Sequence, residues 1–301
     1  MASLASTAQD AAAAAADVVV AERVEQELRR QGLNLKGSSD KNAWASPSDF
    51  WRDANYRETW YAKAIDYWEN TPAVPCTVDG VLGGFAMLDA PDVRASRRFL
   101  ADARHAAGQS GEFVAADVAA GIGRVTKHVL LPGGAASVDV LEPARPLREA
   151  SPAFVDSKDT VEGIDVGGLA ARCTFSATPM QDWVPTLGTY DVIWAQWCVG
   201  HLADAHFLRF LSRCRTALKS NGILIIKDNC CASSKADECF EVDDADRSMC
   251  RGRAYLEALL EFSGADVFRT ALQATQAGHA EAFPADIYPV RSYALRWAGV
   301  T

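Results

Sequence analysis

The run FVAADV, from Phe113 to Val118, carries Asp117 near its end and leads into Ala119, Ala120, Gly121, Ile122, Gly123 and Arg124. A buried strand followed by a glycine turn and a helix bares backbone N–H groups where a nucleotide-like ligand can approach. Glu142 ends the next short apolar run, SVDVLE, about 20 residues on, where an acid hydrogen-bonds ribose hydroxyls. A dinucleotide site calls for G-x-G-x-x-G against a pyrophosphate, and only Gly121 and Gly123 are present, so a diphosphate is not indicated. S-adenosylmethionine has no phosphate and needs only close backbone approach plus an acid for its ribose. The turn suits that ligand, with a nucleotide-dependent dehydrogenase as the rival these residues alone leave open. Further along stand His201, Trp197 and an acidic run of Glu241, Asp243, Asp244 and Asp246. Taken singly, the histidine reads as a cap or a half-buried ring and the tryptophan as core. The acids read as a solvated helix start, with Asp246 as its N-terminal cap.

These groups need a scaffold, and the chain alternates strand and helix patterns that supply one. SVDVLE, CTFSA, YDVIWAQW, ILIIKDN and VRSYALRW read as strands after the first, and the near-continuous apolar character of YDVIWAQW suits a strand covered on both faces. Helical spacing is read at Ser96 to Ala107, at VTKHVLL, at LADAHFLRFLSRCRTAL with a stop at Ser220, Asn221 and Gly222, and at RGRAYLEALLEFSG. Strands alternating with helices predict an α/β chain with a mostly parallel sheet and helices on both faces. Loops are expected at Pro143 to Arg172, at Cys230 to Glu241 and in TVDGVLGGF at Thr77 to Phe85. Residues 1–40 are expected to be a mobile alanine-rich tail without an anchoring stripe, and the aromatic segment from Trp44 to Trp68 to pack as a helical cover.

The composition narrows the class of partner. Hydrophobic residues make up 49% and charged residues 23% of the 301, as in an ordinary globular chain. A net charge of −9 argues against a nucleic-acid backbone and for a cationic substrate. The eight cysteines show no C-x-x-C spacing and no paired histidines, so reduced thiols and no metal site are expected. The first residues lack the pattern of a signal peptide, and no stretch reaches the length of a membrane span, so a cytoplasmic or nuclear location is expected.

From Tyr67 onward the chain resembles the eukaryotic protein N-terminal methyltransferases, which act on X-Pro-Lys or X-Pro-Arg N-termini. The resemblance rests on YWENTPAVPCTVDGVLGG (Tyr67 to Gly84), AGIGRVTKHVLL (Ala120 to Leu131), YDVIWAQWCVGHL (Tyr190 to Leu202), IIKDN (Ile225 to Asn229), DDADRSMCR (Asp243 to Arg251) and DIYPVRSYALR (Asp286 to Arg296). It implies a Rossmann-like class I methyltransferase fold with a seven-stranded sheet and an N-terminal helical extension. Residues 41–90 would form the cover and substrate-channel loop, and 91–301 the S-adenosylmethionine-binding domain.

Position by position, the resemblance implies cofactor contacts at Ala119, Gly121, Gly123 and Arg124, the last meeting the methionyl carboxylate. Glu142 would hold the ribose, Met180 and Gln181 would flank the adenine, and Gln196 would lie beside the cofactor. Leu82, Gly83, Trp197, Asn229, Asp243, Asp246, Ser248 and Tyr288 correspond to substrate-binding positions, with Asp243 expected to meet the third residue of the peptide. Asp246 and His201 are implied in proton handling, with Asn229 beside them. Two departures stand out: Ala119 replaces the family's usual first glycine, tolerable if its φ is negative, and Glu142 stands where close members have Asp. A methyltransferase for a small amine, or an inactive binding protein that keeps the fold, is the competing reading.

Overall fold

The computed structural model describes residues 2–299 apart from 73, 159, 162–163, 166–167, 232–238, 274–282 and 284–286. Its main sheet has seven strands: β1 Phe113–Val118, β2 Ala135–Leu141, β3 Cys173–Ser176, β4 Tyr190–Gln196, β5 Leu218–Asn229, β6 Asp266–Gln273 and β7 Val290–Arg296. They lie in the order 6-7-5-4-1-2-3. The pairs among β1 to β5 are parallel, while β7 runs antiparallel to both β5 and β6. The central strands are buried along nearly their whole length, because helices cover both faces. The chain runs outward from β1 through β2 to β3 and then returns to β4 on the other side of β1. That reversal opens a crevice at the carboxyl ends of β1 and β4.

Several expectations are corrected. Residues Ala2–Arg30 form a helix that is anchored after all: Ala21, Val24 and Leu28 are buried in the main core. The stripe is easily missed among alanines because small side chains give it little contrast. From this helix Asp17 accepts the backbone N–H of Ala205 at 2.8 Å, so it caps the helix Asp204–Ala217 from a distance. That helix ends at Ala217, ahead of the expected stop, where β5 begins.

The stretch 143–172 is not all loop, since Arg145–Asp156 is a helix. Pro152 inside it reads as a breaker, yet Leu147, Ser151 and Val155 form a buried face at helical spacing. Of the expected loop at 230–241, residues 232–238 lie outside the described residues and Cys239–Asp243 is a strand. The DDADRS run is the turn of a hairpin rather than a helix start. Cys239–Asp243 pairs antiparallel with Ser248–Arg251, and Lys36–Ser38 and Ala43–Trp44 complete a small four-stranded sheet.

The aromatic segment forms the helices Pro47–Arg52, Ala54–Arg57 and Trp60–Asn70, with Trp44, Phe50, Trp51, Tyr56 and Trp60 buried in edge-on contacts. In TVDGVLGGF, Val78–Val81 makes one helical turn. Among the described residues no helix is long and apolar enough to cross a membrane.

Candidate functional site

The crevice holds a cavity lined by Ala119, Ala120, Gly121 and Arg124 of the turn. Gly121 and Gly123 take φ of +58° and +81°, the left-handed region that favours glycine. At Gly123 a side chain would also strike Ser151 Oγ at 2.7 Å and Val155 Cγ2 at 2.9 Å, so the glycine lets the helix Arg145–Asp156 lie close. Ala119 adopts φ +52°, which overturns the expectation of a negative value. The left-handed conformation costs an L-residue roughly 1–2 kcal/mol, partly offset by the lower chain entropy of alanine, so Ala119→Gly should raise stability by about 0.5–1 kcal/mol. A chemical denaturation midpoint below that of the parent protein would contradict this.

The carboxylate of Glu142 is buried at the end of β2, accepting the N–H groups of Gly121 at 2.8 Å and Ala144 at 2.7 Å. Burial outweighs these two bonds and pushes its pKa up to about 7. Asp117, at the end of β1, accepts the Thr126 N–H and hydroxyl, and burial lifts it to about 6. Met180, Gln181, Gln196, Trp197 and Arg124 line the same cavity, as do Ala119, Gly121 and Glu142. Gly123 does not, and acts on the turn from behind.

Arg124 and Gln196 are held by a residue that sequence reasoning missed. Asp92, fully buried on the helix Asp89–Ala106, accepts Arg124 at 2.7 Å and Gln196 Nε2 at 2.9 Å and pairs with Lys227. Arg124 also binds Asp89 at 2.8 Å. The expected start of this helix at Ser96 hid the acid, because Asp92 reads as a loop residue until the helix is extended.

A second cavity shares Trp68, Val81, Leu82, Trp197 and His201 with the first, so the two adjoin. Asn229, Asp246, Ser248 and Tyr288 line it, with Asp228 as a further acid that the sequence did not single out. Gly83 and Asp243 do not line it. Asp243 is exposed, its carboxylate accepting Ala245 N at 2.7 Å in the hairpin turn, so its expected contact with substrate is not formed by the cavity wall. Gly83 instead bends the channel loop at φ +62°.

His201 lies in the short helical turn Val199–His201 after β4, and the aromatic cover holds it there. Trp60 Nε1 donates to the His201 carbonyl at 2.8 Å, and Tyr61 Oη accepts Ala203 N at 3.2 Å. The ring's hydrogen-bond partners select the Nδ1–H tautomer: Nδ1 faces the Arg247 carbonyl at 3.1 Å, while Nε2 accepts Trp68 Nε1–H at 3.3 Å. Asp246 Oδ2 lies 4.0 Å from Nε2. Burial raises the pKa of Asp246, opposed by His201 and by the Ser248 N–H at 2.9 Å. Asp228, accepting Val199 N at 3.1 Å, is pushed up to about 6 by burial. The second cavity is thus walled by aromatic faces and by acids held closer to neutrality than free carboxylates. It can receive a cationic amine and take a proton from it.

Comparison with known proteins places this arrangement among methyltransferases. The family described as AdoMet dependent proline di-methyltransferase matches residues 56–296. The N-terminal Xaa-Pro-Lys N-methyltransferase 1 of Bos taurus is 38% identical over 239 residues, covering 78% of this chain and 95% of the relative. The human protein of that name is 36% identical with the same coverage. Among solved structures, a SAM-dependent methyltransferase from Leishmania major superposes with a TM-score of 0.72 and 30% identity, covering 88% of this chain and 97% of that one. The 1,6-didemethyltoxoflavin-N1-methyltransferase of Burkholderia thailandensis, solved with S-adenosylhomocysteine, shares the fold at TM-score 0.53 and 17% identity, covering 79% of this chain and 89% of that one.

Proposed function

Since the chain belongs to the AdoMet dependent proline di-methyltransferase family, we propose that it transfers methyl groups to the α-amine of protein N-termini beginning Xaa-Pro-Lys or Xaa-Pro-Arg. It is an S-adenosylmethionine-dependent protein N-terminal methyltransferase. The observation that carries the substrate assignment is the adjoining pair of cavities, one beside the glycine turn and Glu142, the other walled by Asp228, Asp246, Asn229 and His201.

The lining of the first cavity fits S-adenosylmethionine in its chemistry. Glu142 can accept the ribose hydroxyls, the N–H groups of the turn and Arg124 can donate to the methionyl end, and Met180 and Leu147 are apolar walls for the adenine. When bound, that molecule supplies a sulfonium methyl that an uncharged amine attacks, leaving S-adenosylhomocysteine.

The protein's own task is to deliver the amine uncharged and aligned. An α-amine with an ordinary pKa of about 7.7–8.0 arrives mostly protonated. Asp246 takes the proton, and His201 Nε2, 4.0 Å from its Oδ2, stands next to it in the same wall. Asn229 holds peptide backbone with donor and acceptor together, and Trp197 offers its face to the amine or the proline ring. Trp197 lines both cavities, which suits a residue at the point of transfer. Much of the acceleration then comes from fixing the amine in line with the methyl. Each methyl added to a non-proline terminus leaves another proton to remove, so the same acid serves every round.

Glu142 makes cofactor affinity depend on pH. Its carboxyl, raised to about 7, is protonated below that value, and only the ionised form accepts both ribose hydroxyls. Affinity should therefore rise by up to about tenfold per pH unit below neutrality and level off above it. Calorimetric titration between mildly acidic and mildly basic pH checks this, and Glu142→Gln should flatten the curve. The sign for folding is opposite. A raised carboxyl favours the fold below its ordinary pKa of 4.5, and that contribution is lost as pH rises through about 7.

Mass spectrometry of a Ser-Pro-Lys peptide incubated with enzyme and S-adenosylmethionine tests the function. Methyl additions should appear on the free peptide and vanish on its N-acetylated form, which lacks the nucleophile. Equal methylation of both, or of neither, overturns the assignment.

A further inference from the structure

Beside the amine cavity, on the small sheet, the fold gathers groups that the proposed transfer does not use. Cys231 Sγ, Cys239 Sγ and a carboxylate oxygen of Glu241 all lie within 4.8 Å of one another. Cys231 is buried, and Cys239 and Glu241 are half-buried. Cys239 and Glu241 are two apart on one strand and so point to the same face. Cys250 pairs directly opposite Glu241 on the next strand and adds a third thiol to that face.

We propose that Cys231, Cys239 and Glu241 form a binding site for a thiophilic divalent cation, Zn²⁺ being the best match, with Cys250 next to the fourth position. Sulfur and carboxylate oxygen are both ordinary zinc donors, at about 2.3 Å and about 2.0–2.2 Å. A tetrahedron with those bond lengths separates its ligand atoms by about 3.5–3.8 Å, so closing the trio onto an ion needs side-chain adjustments of about 1 Å. The carboxylate is what favours a cation over a disulfide. A disulfide has no use for it, whereas an ion bound by two thiolates is helped by a third negative donor. Binding releases the two thiol protons of Cys231 and Cys239 and leaves a net charge of −1 on the site. Tyr288, which lines the amine cavity, donates its hydroxyl to Glu241, so an ion that takes this carboxylate also acts on the wall of the peptide site.

Titrating the reduced full-length protein with Co²⁺ reports the site directly. One equivalent should produce the near-ultraviolet thiolate-to-cobalt charge-transfer absorption together with the intense visible bands of four-coordinate cobalt, and Zn²⁺ should abolish both. Cys231→Ser and Cys239→Ser should each weaken binding by at least about 100-fold, and Glu241→Gln should alter the visible bands. Circular dichroism matching the parent protein confirms that the variants are folded, and Glu241→Gln keeps the test available if a cysteine variant is not. Absence of the charge-transfer absorption at one equivalent overturns the proposal, as does its survival unchanged in both cysteine variants. So does a Cys231–Cys239 disulfide formed with peroxide in protein that takes up no cobalt. None of these readouts depends on methyl transfer, so failure here leaves the assigned reaction standing.

Discussion

Replacing Asp246 with asparagine should slow methyl transfer to a Ser-Pro-Lys peptide by about 10²–10⁴-fold, the usual contribution of a positioned general base. Asparagine is nearly isosteric and can still accept the Ser248 N–H that the aspartate accepts at 2.9 Å, so the hairpin turn keeps its geometry. It cannot take a proton from the incoming amine. Asp246 lines the amine cavity and not the cofactor cavity, so affinity for S-adenosylmethionine should stay close to that of the parent enzyme. The remaining activity should climb with pH through the range where an α-amine loses its own proton, about 7.7–8.0, because solvent then does the work of the missing base. Single-turnover measurements across pH provide the check. A variant with parent-like rates at neutral pH would remove Asp246 from the reaction.

Asp204→Ala should cost about 3–5 kcal/mol of stability, the range for breaking a buried ion pair by removing one partner. Asp204 is fully buried at the start of the helix Asp204–Ala217, where the helix dipole favours an acid. Its two oxygens accept from Arg251 Nε at 3.2 Å and Nη2 at 2.8 Å, from Trp51 Nε1 at 3.1 Å and from the Tyr255 hydroxyl. The carboxylate thus joins the aromatic cover, the hairpin strand and the helix Arg253–Phe262 at one point. Alanine would leave the Arg251 charge uncompensated in the core and two donors unpaired. Arg251 also donates to the carbonyls of Val199 at 3.2 Å and Leu202 at 2.7 Å, on either side of His201, so the same change should loosen the turn that carries His201. Urea unfolding decides the matter. A loss below about 1 kcal/mol, typical of a surface substitution, would show that the cluster is not the clasp described.

Much of the scaffold was legible because its signals are local. Six strands of the main sheet could be read locally: central ones such as YDVIWAQW from a near-continuous apolar run, as burial on both faces requires, and VRSYALRW from its alternation. The seventh, Asp266–Gln273, was missed for the same reason: it is an edge strand, largely exposed, and DVFRTALQ carries no such run. The glycine turn and Glu142 were legible because positive φ and an acid at a strand end are one-residue requirements. The expected helix start at DDADRS failed because acids suit helix starts and hairpin turns alike, and pairing with a distant strand chose the turn.

By itself the sequence determined the α/β layering, the glycine turn after β1 and, through its matching blocks, several of the residues that line the second cavity. Each of these rests on periodicity or on neighbours close along the chain. Tertiary structure alone decided how those residues are held and which are left out. It set the Nδ1–H form of His201 between Arg247 and Trp68, the grip of Asp92 on Arg124 and Gln196, the exclusion of Asp243 from the cavity wall, and the meeting of Cys231, Cys239 and Glu241. Hydrogen bonds and buried charges act over a few ångströms in space whatever the separation along the chain. The contacts that tune proton affinity and shape the amine site therefore exist only once the sheet, the cover and the hairpin have been brought together.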